Sequence, residues 1–353
     1  MGGNALKNHE TRRYTKDEYL ALERRIFADF KDLFDTYPLR IPHYSSKESF
    51  GDMDLIIAAN ELPPDWNQIL INFYNLDESM YSSNGGVFSF AVENFQIDLI
   101  TAKDYPAAVM AVSYFSYGDL GNLIGRIFHK LGMKYGHKGL SLVIRPDDNA
   151  HVMNEILLTQ DMQIILSILG LSYEKYQAGF EDLDDIFRYV ASSKYFDSDI
   201  YLFHNRNHKA VIRDKKRSTY NGFLEWIRRE NPPVHFNFEE KSERGGYNIR
   251  EPFYSEIVIP NFPGVEQQVK KLIHQYAQVQ KAKEKLNGLL IREITGLEGI
   301  DLGQFIRYYD LNPGSWEIGD VEMFNQIVTR YPNFPETYVG LYFEDWMGID
   351  DEQ

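Results

Sequence analysis

Apolar residues recur at helical spacing at Tyr19, Leu22, Ile26, Phe30, Leu33 and Phe34, behind Thr15-Lys16-Asp17-Glu18, which has the form of a capping box. The pattern predicts a helix with one buried face. Tyr37-Pro38 and Ile41-Pro42 end it, because proline cannot continue a helix and restricts the residue before it. A polar, serine-containing stretch from Tyr44 to Phe50 leads into Gly51-Asp52-Met53-Asp54-Leu55-Ile56-Ile57, which reads as a strand. Gly86 to Phe90 and Asn94 to Ile100 are two further strand patterns, close enough to be neighbours, and helical texture follows from Tyr105 to Leu131. Gly139 to Ile144 reads as another strand, closed by Arg145-Pro146-Asp147-Asp148. Beyond it the pattern is mainly short helices from Thr159 to Val190, then helices over 219–230 and 265–287, the second with Val269, Leu272, Ile273 and Tyr276 on one face. There is no internal repeat, and the end from Glu344 is acidic. The expected fold class is α+β. It divides into a helical lead (1–40), a mixed region with a short sheet (41–148), a mainly helical extension with a basic loop (149–217), and a largely helical C-terminal domain (218–353).

With 353 residues, 43% of them hydrophobic, the chain can bury a large core. It has no cysteine, which removes disulfides, thiolate metal sites and cysteine nucleophiles and leaves His, Asp and Glu as metal ligands. The longest mostly apolar stretch, Tyr105 to Phe115, is far short of the roughly 20 residues of a membrane-spanning helix. Met1-Gly2-Gly3-Asn4 shows no basic-then-apolar signal pattern, so a soluble, cytoplasmic protein without a membrane partner is expected. A net charge of −15 counts against a surface that grips nucleic acid throughout, and leaves room for a local basic groove. The most basic stretch, His204 to Arg217, carries Arg213, Lys215, Lys216 and Arg217 with Tyr201, Phe203 and Tyr220 interleaved. A nucleic-acid groove has this composition, and so does a solvated loop. His204 and His208 have a helical spacing suited to zinc, with no third ligand in sight.

Residues two apart on a strand share a face, so Asp52 and Asp54 project together, as do Gln96 and Asp98 on the other strand. Two carboxylates on one strand and a third on its neighbour can converge on divalent ions roughly 3.5–4 Å apart, which clamp the oxygens of a phosphoryl displacement. Oxygen-only ligands suit magnesium. The plainer alternative is that the acids form the solvated face of an edge strand. Both segments, however, are apolar enough for interior strands, where unpaired charges need a partner or a metal.

Glu48-Ser49-Phe50-Gly51-Asp52-Met53-Asp54-Leu55 resembles the catalytic strand of the family X DNA polymerases, within the nucleotidyltransferase superfamily. Gln96-Ile97-Asp98-Leu99 resembles the family's third-aspartate strand, and Tyr114-Phe115-Ser116-Tyr117-Gly118-Asp119 its aromatic nucleotide-binding turn. Asn122 and Arg126 follow at the family's spacing, and Ile144-Arg145-Pro146 matches the end of the region. The resemblance covers residues 41–148 and implies a polymerase beta-like palm that uses two magnesium ions, or manganese in their place. It implies that Asp52, Asp54 and Asp98 are the catalytic metal ligands, with Asp98 also activating the attacking hydroxyl. It further implies a nucleoside triphosphate pocket that includes Ser49 and Gly51, in which Tyr114 and Phe115 support the sugar, Asp119 and Asn122 face the base, and Arg126 reaches the base pair or template.

The family's Gly-Ser pair for the triphosphate is replaced here by Ile41-Pro42, with Ser45, Ser46 and Ser49 nearer the aspartates; Gly2-Gly3 with Arg12 and Arg13 are a second source of turn and cations. Nothing ahead of the catalytic strand resembles the family's N-terminal lyase region, so base-excision gap filling is not expected. Leu286 to Ile306 contains glycines that break and restart helices. It is similar to a C-terminal segment of tRNA CCA-adding enzymes and poly(A) polymerases, and more loosely to a helix-hairpin-helix, while a turn used only for packing explains the same glycines. The expected activity is transfer of a nucleoside monophosphate to a nucleic-acid 3′-hydroxyl, by a family X type polymerase or an RNA 3′-terminal nucleotidyltransferase. Modification of a protein or small-molecule hydroxyl, and a nucleotide-binding module without activity, are the alternatives.

Overall fold

The computed structural model describes residues 5–144, 154–238, 252–285 and 288–308. The matches at Gly2-Gly3 and Arg145-Pro146, the residues Leu286 and Asn287 and the acidic end lie outside the described residues.

The first helix, α1 (Lys16–Phe34), begins where the sequence predicts. Its capping box is complete: Thr15 accepts from the Glu18 backbone N–H while the Glu18 carboxylate accepts from the Thr15 N–H at 2.8 Å. Just before it, β1 (Tyr14–Thr15) pairs with β3 (Ser49–Phe50). The principal sheet contains β2 (Leu39–Arg40), β4 (Asp52–Ala58), β5 (Tyr81–Asn84), β6 (Val87–Val92) and β7 (Phe95–Ala102). Its order is β2-β4-β7-β6-β5, parallel only between β4 and β7, so the expected mixed α/β architecture with a mixed sheet is present. The aspartate strands β4 and β7 are both interior, as their apolar texture predicts. A short helix, α2 (Trp66–Phe73), joins β4 to β5.

Strand alternation gives the sheet two different faces. Met53, Leu55, Ile57, Phe95, Ile97 and Leu99 pack with Tyr19, Leu22, Ile26 and Phe30 of α1 in one apolar core cluster. On the other face, Ala108 and Ala111 of α3 (Tyr105–Phe115) pack on Ile56, with Ile100 and Ala102 beside them.

The predicted helical stretch from Tyr105 to Leu131 is two helices, α3 and α4 (Leu120–Lys130), because Tyr117 and Gly118 both take positive φ, 59° and 70°. A second sheet follows, order β10-β9-β8, built from β8 (Met133–Gly136), β9 (Gly139–Ile144) and β10 (Asn154–Thr159). Its last strand pairs with β9 across residue 148, where the sequence suggests a boundary. Helices α5 (Met162–Ile168), α6 (Tyr173–Ala178), α7 (Leu183–Ala191) and α8 (His208–Asp214) lie in the stretch expected as a mainly helical extension, while α9 (Ser218–Glu230) lies in the stretch expected as the C-terminal domain. The extension is joined to α4 through polar tips of buried rings: the Tyr201 hydroxyl donates to the Leu123 carbonyl at 3.1 Å, and the Tyr220 hydroxyl to the Tyr201 carbonyl. A π turn at Tyr254–Val258 runs into α10 (Ile259–Asn261).

Contacts divide the chain into Met1–Val265 and Glu266–Gln353. The second unit holds most of α11 (Val265–Lys285), then α12 (Gly288–Thr295) and α13 (Gly299–Tyr308), with positive φ at Gly296 and Gly299 in the turn between the last two. The glycines break and restart the helix there as the sequence predicts.

Thr15→Ala removes one half of the capping box and is expected to cost about 1 kcal/mol. In a chain of this size that is a fall of about 1–2 °C in melting temperature, measurable by thermal and urea unfolding.

Candidate metal centre

The parallel register sets Asp52 opposite Gln96 and Asp54 opposite Asp98. With Met53 and Ile97 turned to the α1 core, all four polar side chains project from the other face. Ligand oxygens of Asp52, Asp54 and Asp98 lie within 4.8 Å of one another, and among the described residues this is the one cluster of three metal-ligating side chains. His204 and His208 belong to separate short helices and gain no third ligand.

What keeps this end of the face open is the length of α3. Starting after β7, it runs back over the sheet for 11 residues, about 16 Å, and covers Ile56, Ile100 and Ala102. The aspartates lie on the same face toward the strand starts, and Asp54 remains exposed.

Of the three carboxylates, Asp98 is held by named hydrogen bonds. Asp98 accepts from Gln96 Nε2 at 2.9 Å through each of its two oxygens, and it is also hydrogen-bonded by Ser89, its cross-strand partner on β6. Gln96 is itself oriented, because its Oε1 accepts the Ala5 backbone N–H at 2.9 Å, which leaves the amide nitrogen facing Asp98. Burial raises the Asp98 pKa, Ser89 and Gln96 lower it, and the neighbouring Asp52 raises it. Although its side chain reaches solvent, Asp54 is closely surrounded by protein, and this loss of hydration, followed by the charges of Asp52 and Asp98, pushes it up to about 8. Lys47 opposes that rise; its own pKa is lowered by burial, and its ammonium sits 4.5 Å from the centre of the Phe50 ring. Lys47 thus bears on Asp52 and Asp54. The hard, oxygen-only donor set of the three aspartates fits magnesium or manganese.

The loop in front of the aspartates is held from several directions. Arg13 donates from Nε to Ser49 Oγ at 2.8 Å and from Nη2 to the Ser49 carbonyl at 3.0 Å, which brings one of the two N-terminal arginines to the site approach. Gly51 links β3 to β4. The Ser45 and Ser46 N–H groups donate to the Phe180 and Glu181 carbonyls, and the Tyr117 N–H to the Pro42 carbonyl at 2.8 Å. Tyr117 tolerates its left-handed backbone because its buried ring is clamped edge-on by Tyr176 and Phe180.

Tyr114 and Phe115 end α3, half-buried and edge-to-face at 5.1 Å. A Cβ on Gly121 would lie 2.2 Å from the Tyr114 carbonyl oxygen, so the close approach of α4 to the end of α3 requires glycine there. Sequence reasoning passed over Gln96 as an orienting group, and also Lys47, Tyr117 and Gly121; only the i, i+2 spacing of Gln96 and Asp98 signals the first.

The remaining candidates are drawn into contacts with the helical extension. Asp119 is ion-paired with Arg217, and Asn122 Oδ1 accepts from Arg213 Nη2 at 3.3 Å. Arg126 donates to the carbonyls of Ile200 and Asn205, both at 2.8 Å. Arg213 also pairs with Asp214, Lys215 lies 5.7 Å from the centre of the Phe203 ring, and Lys216 is exposed. Of the four basic residues expected at nucleic acid, Arg213 and Arg217 are thus ion-paired within the fold.

No known protein family and no curated protein matches the chain.

Metal binding should be proton-linked. A divalent ion must displace the Asp54 proton, so its affinity should rise with pH and level off above about 8, weakening by up to about tenfold per pH unit below that. Manganese titration by calorimetry in two buffers of different ionisation enthalpy measures the released proton. The stability effect has the opposite sign without metal. The folded carboxyl titrates above its unfolded value, so its contribution is full below pH 4 and is lost as pH rises toward 8. Magnesium should accordingly raise the melting temperature more at pH 8 than at pH 6.

Proposed function

We propose that the protein is a magnesium-dependent nucleotidyltransferase with a polymerase beta-like palm, which transfers a nucleoside monophosphate from a nucleoside triphosphate to a nucleic-acid 3′-hydroxyl. The observation that carries this reading is the convergence of Asp52, Asp54 and Asp98 from two adjacent parallel strands, with their oxygens within 4.8 Å. Divalent ions bound there would neutralise the triphosphate and stabilise charge on the entering and leaving oxygens.

In this reading the acceptor oxygen forms a bond to the α-phosphorus as the bond to pyrophosphate breaks. Asp98 takes the hydroxyl proton, a role favoured by its raised pKa and by the Gln96 and Ser89 hydrogen bonds that hold it still. Asp52 and Asp54 are metal ligands. Lys47, beside these carboxylates, and Arg13, at Ser49, supply cations in the region where the family's Gly-Ser pair is missing. The rings of Tyr114 and Phe115 support the sugar. Asp119, Asn122 and Arg126 then position the pocket wall through their contacts with residues 200–217, rather than meeting the base directly.

Wild-type protein, magnesium and each labelled nucleoside triphosphate should label a nucleic-acid 3′ end when primer–template, single-stranded DNA and bulk tRNA are offered with total protein. Asp98→Asn keeps side-chain size and should lower transfer at least about a hundredfold while the melting temperature holds within a few degrees. Turnover by that variant at the wild-type rate would sink the three-aspartate assignment, and label confined to protein would move the acceptor to another class.

A further inference from the structure

Beside Tyr114 a cleft of about 810 Å³ opens between α4, the second sheet and the segment that carries α8. Arg126 and Lys130 of α4, Lys134 of β8, and Arg206, Lys209 and Arg213 of the helical extension line it. The one carboxylate in the lining, Glu155, accepts from Lys134 at 2.8 and 2.9 Å. Six cations against one acid is the reverse of the whole chain, whose net charge is −15.

The cations are set in place by the fold. Asp214, fully buried behind the wall, accepts from Arg206 Nη2 at 2.5 Å and from Arg213 Nε at 2.9 Å. Arg126 is fixed by the two carbonyls of the extension. Gly121 and Gly125 keep the α4 side of the cleft low between its charged residues. Two donors of the wall, Asn122 Nδ2 and Arg206 Nε, end without an acceptor in the protein. Such buried donors cost about 1–3 kcal/mol each unless a ligand or water satisfies them.

We infer that this cleft binds the phosphodiester backbone of a single nucleic-acid strand, and that it leads the strand past Tyr114 to the aspartates. Two features favour a strand over a lone phosphate or nucleotide. The cations come from three separate elements instead of converging on one point, which suits a ligand whose charge repeats along its length. The cleft also shares Tyr114 with the proposed nucleotide pocket, so one end offers a ring to a base or sugar while the rest offers charge. The path to the aspartates rests on the nucleotidyltransferase reading. The binding site stands on the cleft alone.

The test uses the full-length protein and labelled single-stranded RNA and DNA oligonucleotides of about twelve nucleotides, with anisotropy followed from low to high salt. Binding should weaken with salt on a log–log line. Each strand-contacting cation contributes about 0.7 to its slope, so Lys134→Gln combined with Lys209→Gln should reduce the slope by about 1.4. Asp98→Asn should bind the oligonucleotides as wild type does. Absence of binding at low salt, an unchanged slope in the double variant, or tighter binding of poly-glutamate than of oligonucleotide would each overturn the inference. Transfer assays on the same preparations separate the two readings. Salt-dependent strand binding without nucleotide transfer leaves the cleft standing and removes the enzyme, whereas transfer to another acceptor without strand binding does the opposite.

Discussion

Three carboxylates with oxygens inside 4.8 Å repel one another, by on the order of 3–4 kcal/mol per charged pair at the effective dielectric of a protein surface. The cluster cannot hold itself together, so something outside it must. That is the parallel register of β4 and β7, which sets Asp54 opposite Asp98, and the register is fixed on the reverse face. Met53, Leu55, Ile97 and Leu99 are fully buried against α1, each worth roughly 1.5–3 kcal/mol of burial. A slip of one residue would expose them and turn the aspartates inward, a penalty larger than the repulsion it relieves. The apolar face therefore holds the charged one, and loss of hydration together with the neighbouring Asp52 and Asp98 raises the Asp54 pKa.

The second constraint is the sharp reversal between α3 and α4. Gly118 supplies one left-handed residue without steric cost, and Tyr117 supplies another because its ring is clamped in the helical extension. Gly121 then lets α4 press against the Tyr114 carbonyl. From that position Asp119, Asn122 and Arg126 reach residues 200–217, while the Tyr117 N–H reaches back to Pro42 in the loop ahead of the aspartates. The reversal between α3 and α4 is thus in direct contact with both the extension and the site approach.

Local signals in the sequence disclosed much of this. The capping box at Thr15, the alternation through Met53 and Leu55, and the shared face of Gln96 and Asp98 each depend on residues a few positions apart, and each appears in the structure as read. The resemblance set a turn at Tyr114–Asp119, but the apolar pattern ran on through the break between α3 and α4, because Tyr117 is stabilised by rings some sixty positions further along the chain. Strand β10 was not legible, because its pairing with β9 is non-local and its alternation is short. The assignments of Asp119, Asn122 and Arg126 came from resemblance. Their actual partners lie 74 to 98 positions away, a distance over which spacing carries no information.

Net charge is a poor guide to what such a molecule binds. In physiological salt, exposed charges further apart than about 8 Å are largely screened from one another, so a total of −15 says little about the field inside a particular cleft. What counts there is which charges the fold gathers. Asp214 holds Arg206 and Arg213 at one wall, and the carbonyls of Ile200 and Asn205 hold Arg126 at another. These anchors are buried or belong to the backbone, so they cannot leave, and the cations they fix cannot spread out to lower their mutual repulsion. A fold that confines like charges in this way stores unfavourable energy, which a ligand of opposite charge relieves on binding. The aspartate cluster and the basic cleft follow the same principle with opposite sign, and Tyr114 and Asn122, on adjoining helices, both line the cleft.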